Sequence, residues 1–210
     1  MDSSSRDYEE IRDIPKLIKV LDDKMDDYNF SPLNKSKLNL VFFDDAINHI
    51  LRISRVLRQP RGNLMLIGVG GSGKQSLTKL ASFLLGYTIS QIEISKDYGL
   101  EKFREFLKDL LMNTGVQGKN VTFLFTDNQI VSESFLEDIN NMLNSGEVPN
   151  IWENADEKGK IIESVRPIHI SMKRPDIPDL IYSTFVERVR DRLHIVLCMS
   201  PVGNELKQIK

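Results

Sequence analysis

Apolar residues recur along this chain at two periods, one of three to four residues and one of short unbroken runs, and their alternation sets the expected fold. In residues 11–28 they fall at Ile14, Leu17, Ile18, Leu21 and Met25, one face of a helix, with Asp22, Asp23, Asp26 and Asp27 on the remaining faces. NFSPLNKSK (29–37) reads as a loop. The helical period resumes over 42–57 through Ala46, Ile47, Ile50, Ile53, Val56 and Leu57, until QPRGN ends it. LMLIG (64–68) is a short apolar run, a buried strand, and a helix follows over 75–85, closed by Gly86. YTISQIEI (87–94), rich in β-branched residues, is expected as a second strand. Phe103, Phe106, Leu107, Leu110 and Leu111 mark a helix over 100–111, and TGVQGKN turns the chain into VTFLFTD (121–127), a third strand. A helix over 132–143 is capped by Ser132 and broken by NSGEVPN. Residues 150–175 mix charge, proline and isolated apolars, which predicts irregular structure or short elements. A last helix over 177–193 leads into HIVLCMS, a fourth strand. Strands alternating with helices require crossover connections, so the fold class is α/β with a parallel sheet covered by helices on both faces.

The size of the chain, 210 residues, leaves room for one sizeable core with an appended helical segment. With 28 basic and 30 acidic side chains the formal charge is −2, so nothing implies a polycationic surface for nucleic acid. The opening MDSSSRDYEEIRD lacks the basic start and apolar stretch of a signal peptide, and no apolar run approaches a membrane span of roughly 18 residues. A soluble, intracellular protein is expected. The one cysteine, Cys198, lies in the apolar run HIVLCM and reads as a small core residue. Arg52, Arg55 and Arg58 recur every third residue, as a solvated stripe or one facing a partner.

The sequence LIGVGGSGKQS carries the candidate chemistry. Gly68-Val69-Gly70-Gly71-Ser72-Gly73-Lys74 fits G-x-x-x-x-G-K, with a predicted strand before it and a predicted helix after it. Glycines let successive amides turn inward toward phosphate oxygens, the helix start adds its positive end, and the lysine ammonium reaches the outer phosphates. The next residue of such a loop carries a hydroxyl that binds Mg2+, yet here it is Gln75, whose amide oxygen sits on a longer arm. Ser76 has the hydroxyl, but one step along a helix rotates it by roughly 100°, away from the phosphates. The third strand ends in Asp127 and Asn128. In this class of site the aspartate holds the metal through water and the following acidic residue polarises the attacking water. Asn128 cannot accept a proton, and loss of a positioned base costs roughly 10² to 10⁴-fold in rate. Nucleotide binding is therefore expected to survive, with weak or no hydrolysis.

Three long stretches carry a resemblance. LVFFDDAINHILRISRVLRQPRGNLMLIGVGGSGKQSLTKLASFL, FLFTDNQIVSESFLEDINNMLNSGEVPNI and FVERVRDRLHIVLCMSPVG together resemble the dynein heavy chain of axonemal type, and within it the fourth of the six AAA+ modules of the motor ring. The likeness runs from about residue 8 to Gly203 and includes much besides the glycine loop. It implies an AAA+ P-loop large subdomain over 38–203, preceded by a helical segment and loop over 1–37 and followed by a divergent tail, 204–210. It further implies that the fifth strand, the arginine-finger region and the lid subdomain of that module are not in this chain, which leaves a sheet edge exposed. By the family pattern Gly68 to Ser76 is the phosphate loop for ATP or ADP, Asp127 the Mg2+ aspartate, and Asn128 stands in the catalytic glutamate's place. Ser200 falls near the polar sensor of the γ-phosphate, or is a strand-end hydroxyl before Pro201. Arg188, Arg190 and Arg192 precede the fourth strand, which suits surface or helix-packing roles. The implied partners are neighbouring AAA+ modules and, through the full-length protein, intermediate and light chains and microtubules, with no nucleic acid and no membrane. The implied location is the cytoplasm and cytoskeleton, at the axoneme of cilia and flagella. Two other readings stand beside a regulatory nucleotide-binding module: an active ATPase using Glu93 or Glu133, and a structural fragment that binds partners alone.

Overall fold

A computed structural model describes residues 13–32, 34, 36–95 and 98–201. In chain order the elements are helices α1 (Ile14–Phe30) and α2 (Asp44–Leu57), strand β1 (Leu64–Ile67), helix α3 (Lys74–Leu85), strand β2 (Thr88–Ser90), helix α4 (Leu100–Leu111), strand β3 (Val121–Thr126), helices α5 (Glu133–Ser145), α6 (Ala155–Ser171) and α7 (Pro178–Arg192), and strand β4 (Leu193–Met199). The four strands form one sheet in the order β1-β4-β3-β2, and every pairing is parallel. The α/β class read from the sequence is the class observed.

Strand alternation divides the interior into two cores. Val121, Phe123 and Phe125 of β3 join Leu193, Ile195 and Leu197 of β4 against α4, α5, α6 and α7. Leu124, Val196 and Cys198, pointing the other way, pack with α1, α2 and α3. β3 is buried at all six positions because helices cover both of its faces. β1 lies at a sheet edge, and its Met65 and Ile67 are 59% and 66% exposed. Among the described residues no helix is long and apolar enough to cross a membrane.

Three expectations need correction. The stretch 150–175 is dominated by α6, a helix of 17 residues that contains Pro167. Asn154 caps it by accepting from the Glu157 N–H at 2.9 Å, while the Glu157 carboxylate accepts from the Glu153 N–H, just before the cap, at 2.9 Å, so two backbone donors at the helix start are satisfied. Ile161, Val165 and His169 then recur every fourth residue as its buried stripe, and that packing offsets the cost of the internal proline. The second strand is confined to Thr88–Ser90, less than half of the stretch 87–94 that β-branched content marks. TGVQGKN is not a simple turn, since Met112–Val116 extends α4 as a π-helical turn. Arg188 Nε donates to Gly115 O at 2.6 Å and Arg192 Nε to Gly118 O at 3.0 Å, so these arginines tie α7 to the turn and serve the packing role expected of them. The expected start at residue 11 and the tail 204–210 lie outside the described residues.

Gly115 is where that turn meets α7 at closest range. A Cβ there would lie 2.3 Å from Phe185 Cε2 and 2.9 Å from Val189 Cγ2. Gly115→Ala should therefore overpack the larger core and cost about 1–3 kcal/mol, read as a lower urea midpoint at unchanged slope.

Candidate functional site

The parallel register places three strand ends side by side. Ile67 of β1 pairs with Met199 of β4, and Thr126 of β3 pairs with Cys198 of the same strand. The chain leaves β1 into the glycine loop, leaves β3 at Asp127 and leaves β4 at Ser200, all at the carboxyl edge of the sheet, where ligands of open α/β sheets sit.

The loop joins β1 to α3. Gly68 N–H donates to Met199 O at 3.1 Å, which fixes the loop's entry on β4. Gly71 and Gly73 take φ of 76° and 80°, a left-handed conformation that favours glycine. Through Gly73 the chain swings directly into α3, whose first N–H groups have no intrahelical acceptor. Lys74 Nζ stands across the loop, donating to Gly68 O at 2.5 Å, Val69 O at 2.9 Å and Ser72 Oγ at 3.2 Å. A Cβ at Gly70 or Gly71 would meet nothing within 4 Å, so the backbone at both stands open, whereas one at Gly68 would reach within 3.0 Å of Ser72 Oγ. Open backbone amides, an ammonium and a helix N-terminus are a donor set suited to a polyphosphate.

Asp127 faces the loop from β3. One carboxylate oxygen accepts from the Ser200 N–H at 2.9 Å and the other from the Asn128 N–H at 2.9 Å. The Ser200 hydroxyl and N–H, then the Asn128 N–H and the Lys74 charge, hold its carboxyl below the usual carboxylate range despite some burial. The structure thus brings Asp127, Ser200 and Lys74 together. Beneath them Cys198 is buried, and burial pushes its thiol up to about 11.

The donors for a divalent cation are thinner. Gln75 is exposed, and its Oε1 accepts from Gln91 Nε2 at 3.4 Å; Ser76 is half-buried. Among the described residues no three His, Cys, Asp or Glu side chains are grouped as metal ligands. Asp127 is the one carboxylate of this constellation. The residues fit a nucleotide's phosphates well, and for Mg2+ they offer the Asp127 carboxylate with no hydroxyl at position 75 beside it. Glu93 and Glu133, candidates for a substitute base, are both exposed.

Sequence reasoning missed the network behind Asp127. Residues 127–129 form a 3-10 turn closed by a capping box between Thr126 and Gln129. The buried Gln129 carboxamide accepts from the Thr126 N–H at 2.8 Å and donates to Ile92 O at 2.5 Å, while Tyr98 OH donates to Gln129 O at 2.9 Å. Thr126 Oγ1 donates to Asn128 Oδ1. The pattern T-x-x-Q at 126–129 was the available signal.

A parallel sheet with a glycine loop between β1 and α3 and an aspartate at the end of β3 defines a P-loop nucleotide-binding fold. Residues 38–209 match the family described as P-loop containing dynein motor region D4, and the chain belongs to that family. It is 50% identical over 210 residues to dynein axonemal heavy chain 6 of Homo sapiens, covering 98% of this chain and 5% of that protein. It is 50% identical to dynein axonemal heavy chain 1 of Mus musculus, covering 96% and 5%. It is 45% identical to the dynein-1-beta heavy chain of the flagellar inner arm I1 complex of Chlamydomonas reinhardtii, covering 96% and 4%. The chain therefore spans about one twentieth of the length of these relatives.

Because Ser200 is the largest cause of the lowered Asp127 pKa, Ser200→Ala should move the Asp127 carboxyl titration, followed by NMR, upward toward the ordinary value of about 3.9. In the parent chain the Asp127 contribution to stability is present above that value and lost as pH falls through the lower folded one, and the variant should lose it at higher pH.

Proposed function

We propose that this chain is the nucleotide-holding part of one AAA+ module in an axonemal dynein heavy chain, and that it retains ATP or ADP with weak or no hydrolysis. The observation that carries the reading is the pairing of a complete phosphate cradle, Gly68 to Lys74, with a strand end that reads Asp127-Asn128. Gly70, Gly71, Gly73, Lys74, Gln75 and Ser76 would supply backbone donors to the phosphates, Lys74 the charge, and Asp127 and Ser200 the polar wall beside the terminal phosphate. Mg2+ bound with the nucleotide would neutralise phosphate charge, and Asp127 would hold it through water. Gln75 and Asn128 weaken respectively the seat for that cation and the removal of a proton from the attacking water.

The wider role extends the same reading, and what supports it is the likeness to dynein axonemal heavy chains. Occupancy of this site would set the shape of a ring shared with neighbouring AAA+ modules of the same heavy chain. Intermediate and light chains and microtubules would be met through the full-length protein, in the cytoplasm and cytoskeleton at the axoneme of a cilium or flagellum. The chain would work there as a regulator of an ATP-driven motor.

Titrating the 210-residue chain with fluorescent ATP, with and without Mg2+, tests this. Binding is expected in both conditions, weakened by less than about tenfold when Mg2+ is chelated, and Lys74→Ala should weaken it by about tenfold or more, since a charge-assisted contact is worth roughly 1.5–3 kcal/mol. A folded chain that ignores millimolar nucleotide, or one that turns ATP over at rates of about 1 s⁻¹ or faster, a common range for enzymes, would overturn the reading.

A further inference from the structure

We propose that the hollow between Trp152, Tyr182 and Glu147 is a docking site for an arginine side chain on a protein partner. It lies away from the glycine loop: the 13 residues of α5 put about 20 Å between it and the turn at Asp127.

The hollow, about 440 Å³, opens where the chain leaving α5 meets the first turn of α6 and the side of α7. Its aromatic walls rest on the larger core. Phe185, 1% exposed, lies 6.1 Å from Trp152 and 5.6 Å from Tyr182, ring centre to ring centre. The Trp152 Nε1–H donates to the Tyr182 hydroxyl oxygen at 3.0 Å, which fixes the two rings relative to each other. Both are half-buried, and each keeps part of its surface on the hollow.

The electrostatics favour a cation. Lys158 Nζ stands 4.4 Å from the centre of the Tyr182 ring, so this ring face already accepts a positive charge. Glu147 stands near the hydroxyl end of the same residue: burial raises the Tyr182 hydroxyl above its ordinary value, against the Trp152 N–H, and the Glu147 carboxylate raises it further. Among the described residues no lysine or arginine forms an ion pair with Glu147, whereas Glu153 on the rim is paired with Lys108 at 3.0 Å. Asp156 and Glu157 in the first turn of α6 add negative charge, which opposes a phosphate or a nucleic acid at this place.

Lys158 uses only half of what the hollow offers. An ammonium is a point charge that can sit on the ring, whereas a guanidinium lies flat against an aromatic face and turns its fork of N–H donors to a carboxylate. With Trp152 and Tyr182 as the stacking surface and Glu147 as the acceptor, an arginine side chain satisfies both at once. It displaces Lys158 from the ring, because two cations at that range repel. Pro149, Asn150 and Asn154 on the rim are exposed, so the backbone carrying the arginine can lie across the opening. Aromatic and arginine side chains paired in this way are common anchors of protein interfaces.

Trp152 is the one tryptophan of the chain, so its emission reports on this hollow alone. The 210-residue chain is titrated with a capped glycine pentapeptide that carries arginine at its centre. Two counterparts carry citrulline, which keeps the shape without the charge, or lysine. The arginine peptide is expected to shift the emission with a midpoint of about 1 mM, as suits a single anchor without the rest of its interface. The citrulline peptide should bind about tenfold more weakly and the lysine peptide about threefold. Glu147→Gln should weaken the arginine peptide by about fivefold or more. Lys158→Met, which keeps the stem and removes the charge, should tighten it by about threefold. The three peptides on the parent chain decide the matter even if a variant misfolds. Equal responses to the arginine and citrulline peptides, no saturable response up to about 20 mM, a lysine peptide that binds as well as the arginine one, or a folded Glu147→Gln chain that binds unchanged would each overturn the proposal. So would argininamide binding more tightly than the peptide, which would assign the hollow to a small free cation.

Discussion

β4 is the strand on which the rest depends. It lies between β1 and β3, donates and accepts along both edges, and its end bonds the glycine loop at Met199 and Asp127 at Ser200. With Leu193 to Cys198 buried on both faces, a one-residue slip of β4 would move each side chain to the opposite core. The Gly68 N–H on Met199 O and the Ser200 N–H on Asp127 then transmit that register to the site. The geometry around the phosphates is inherited from the sheet rather than built by the loop.

The two halves of the site differ in how they are held. The glycine loop leaves Gly70 and Gly71 open and ties itself down through Lys74 and its own carbonyls. The strand end is held from several sides: Asp127 accepts from two backbone N–H groups, and the buried Gln129 bonds Ile92, just past β2.

Much of this was legible before any coordinates. Strand and helix alternation gave the α/β class, because runs such as VTFLFTD and HIVLCMS can only be buried on both faces. The phosphate loop and Asp127 announced themselves by spacing. α6 escaped because Pro167 and its charges mask a stripe of Ile161, Val165 and His169, while the Asn154 cap and contact with α7 stabilise the helix. The extent of β2 was illegible for another reason: strand length is set by the partner strand, and β3 pairs with Thr88–Ser90 alone. The Thr126–Gln129 box went unseen because three-residue turns leave no periodicity, although the polar pair flanking Asp127-Asn128 was in plain view.

Met65 and Ile67 on the outermost strand have a practical meaning. Among the described residues no strand pairs with the outer edge of β1, and such an edge with apolar side chains is a template for pairing with another chain, its own kind included. Self-association should therefore climb with concentration, and handling at low protein levels, or Met65→Lys, would keep particles monodisperse while leaving Ile67, which adjoins Gly68, in place.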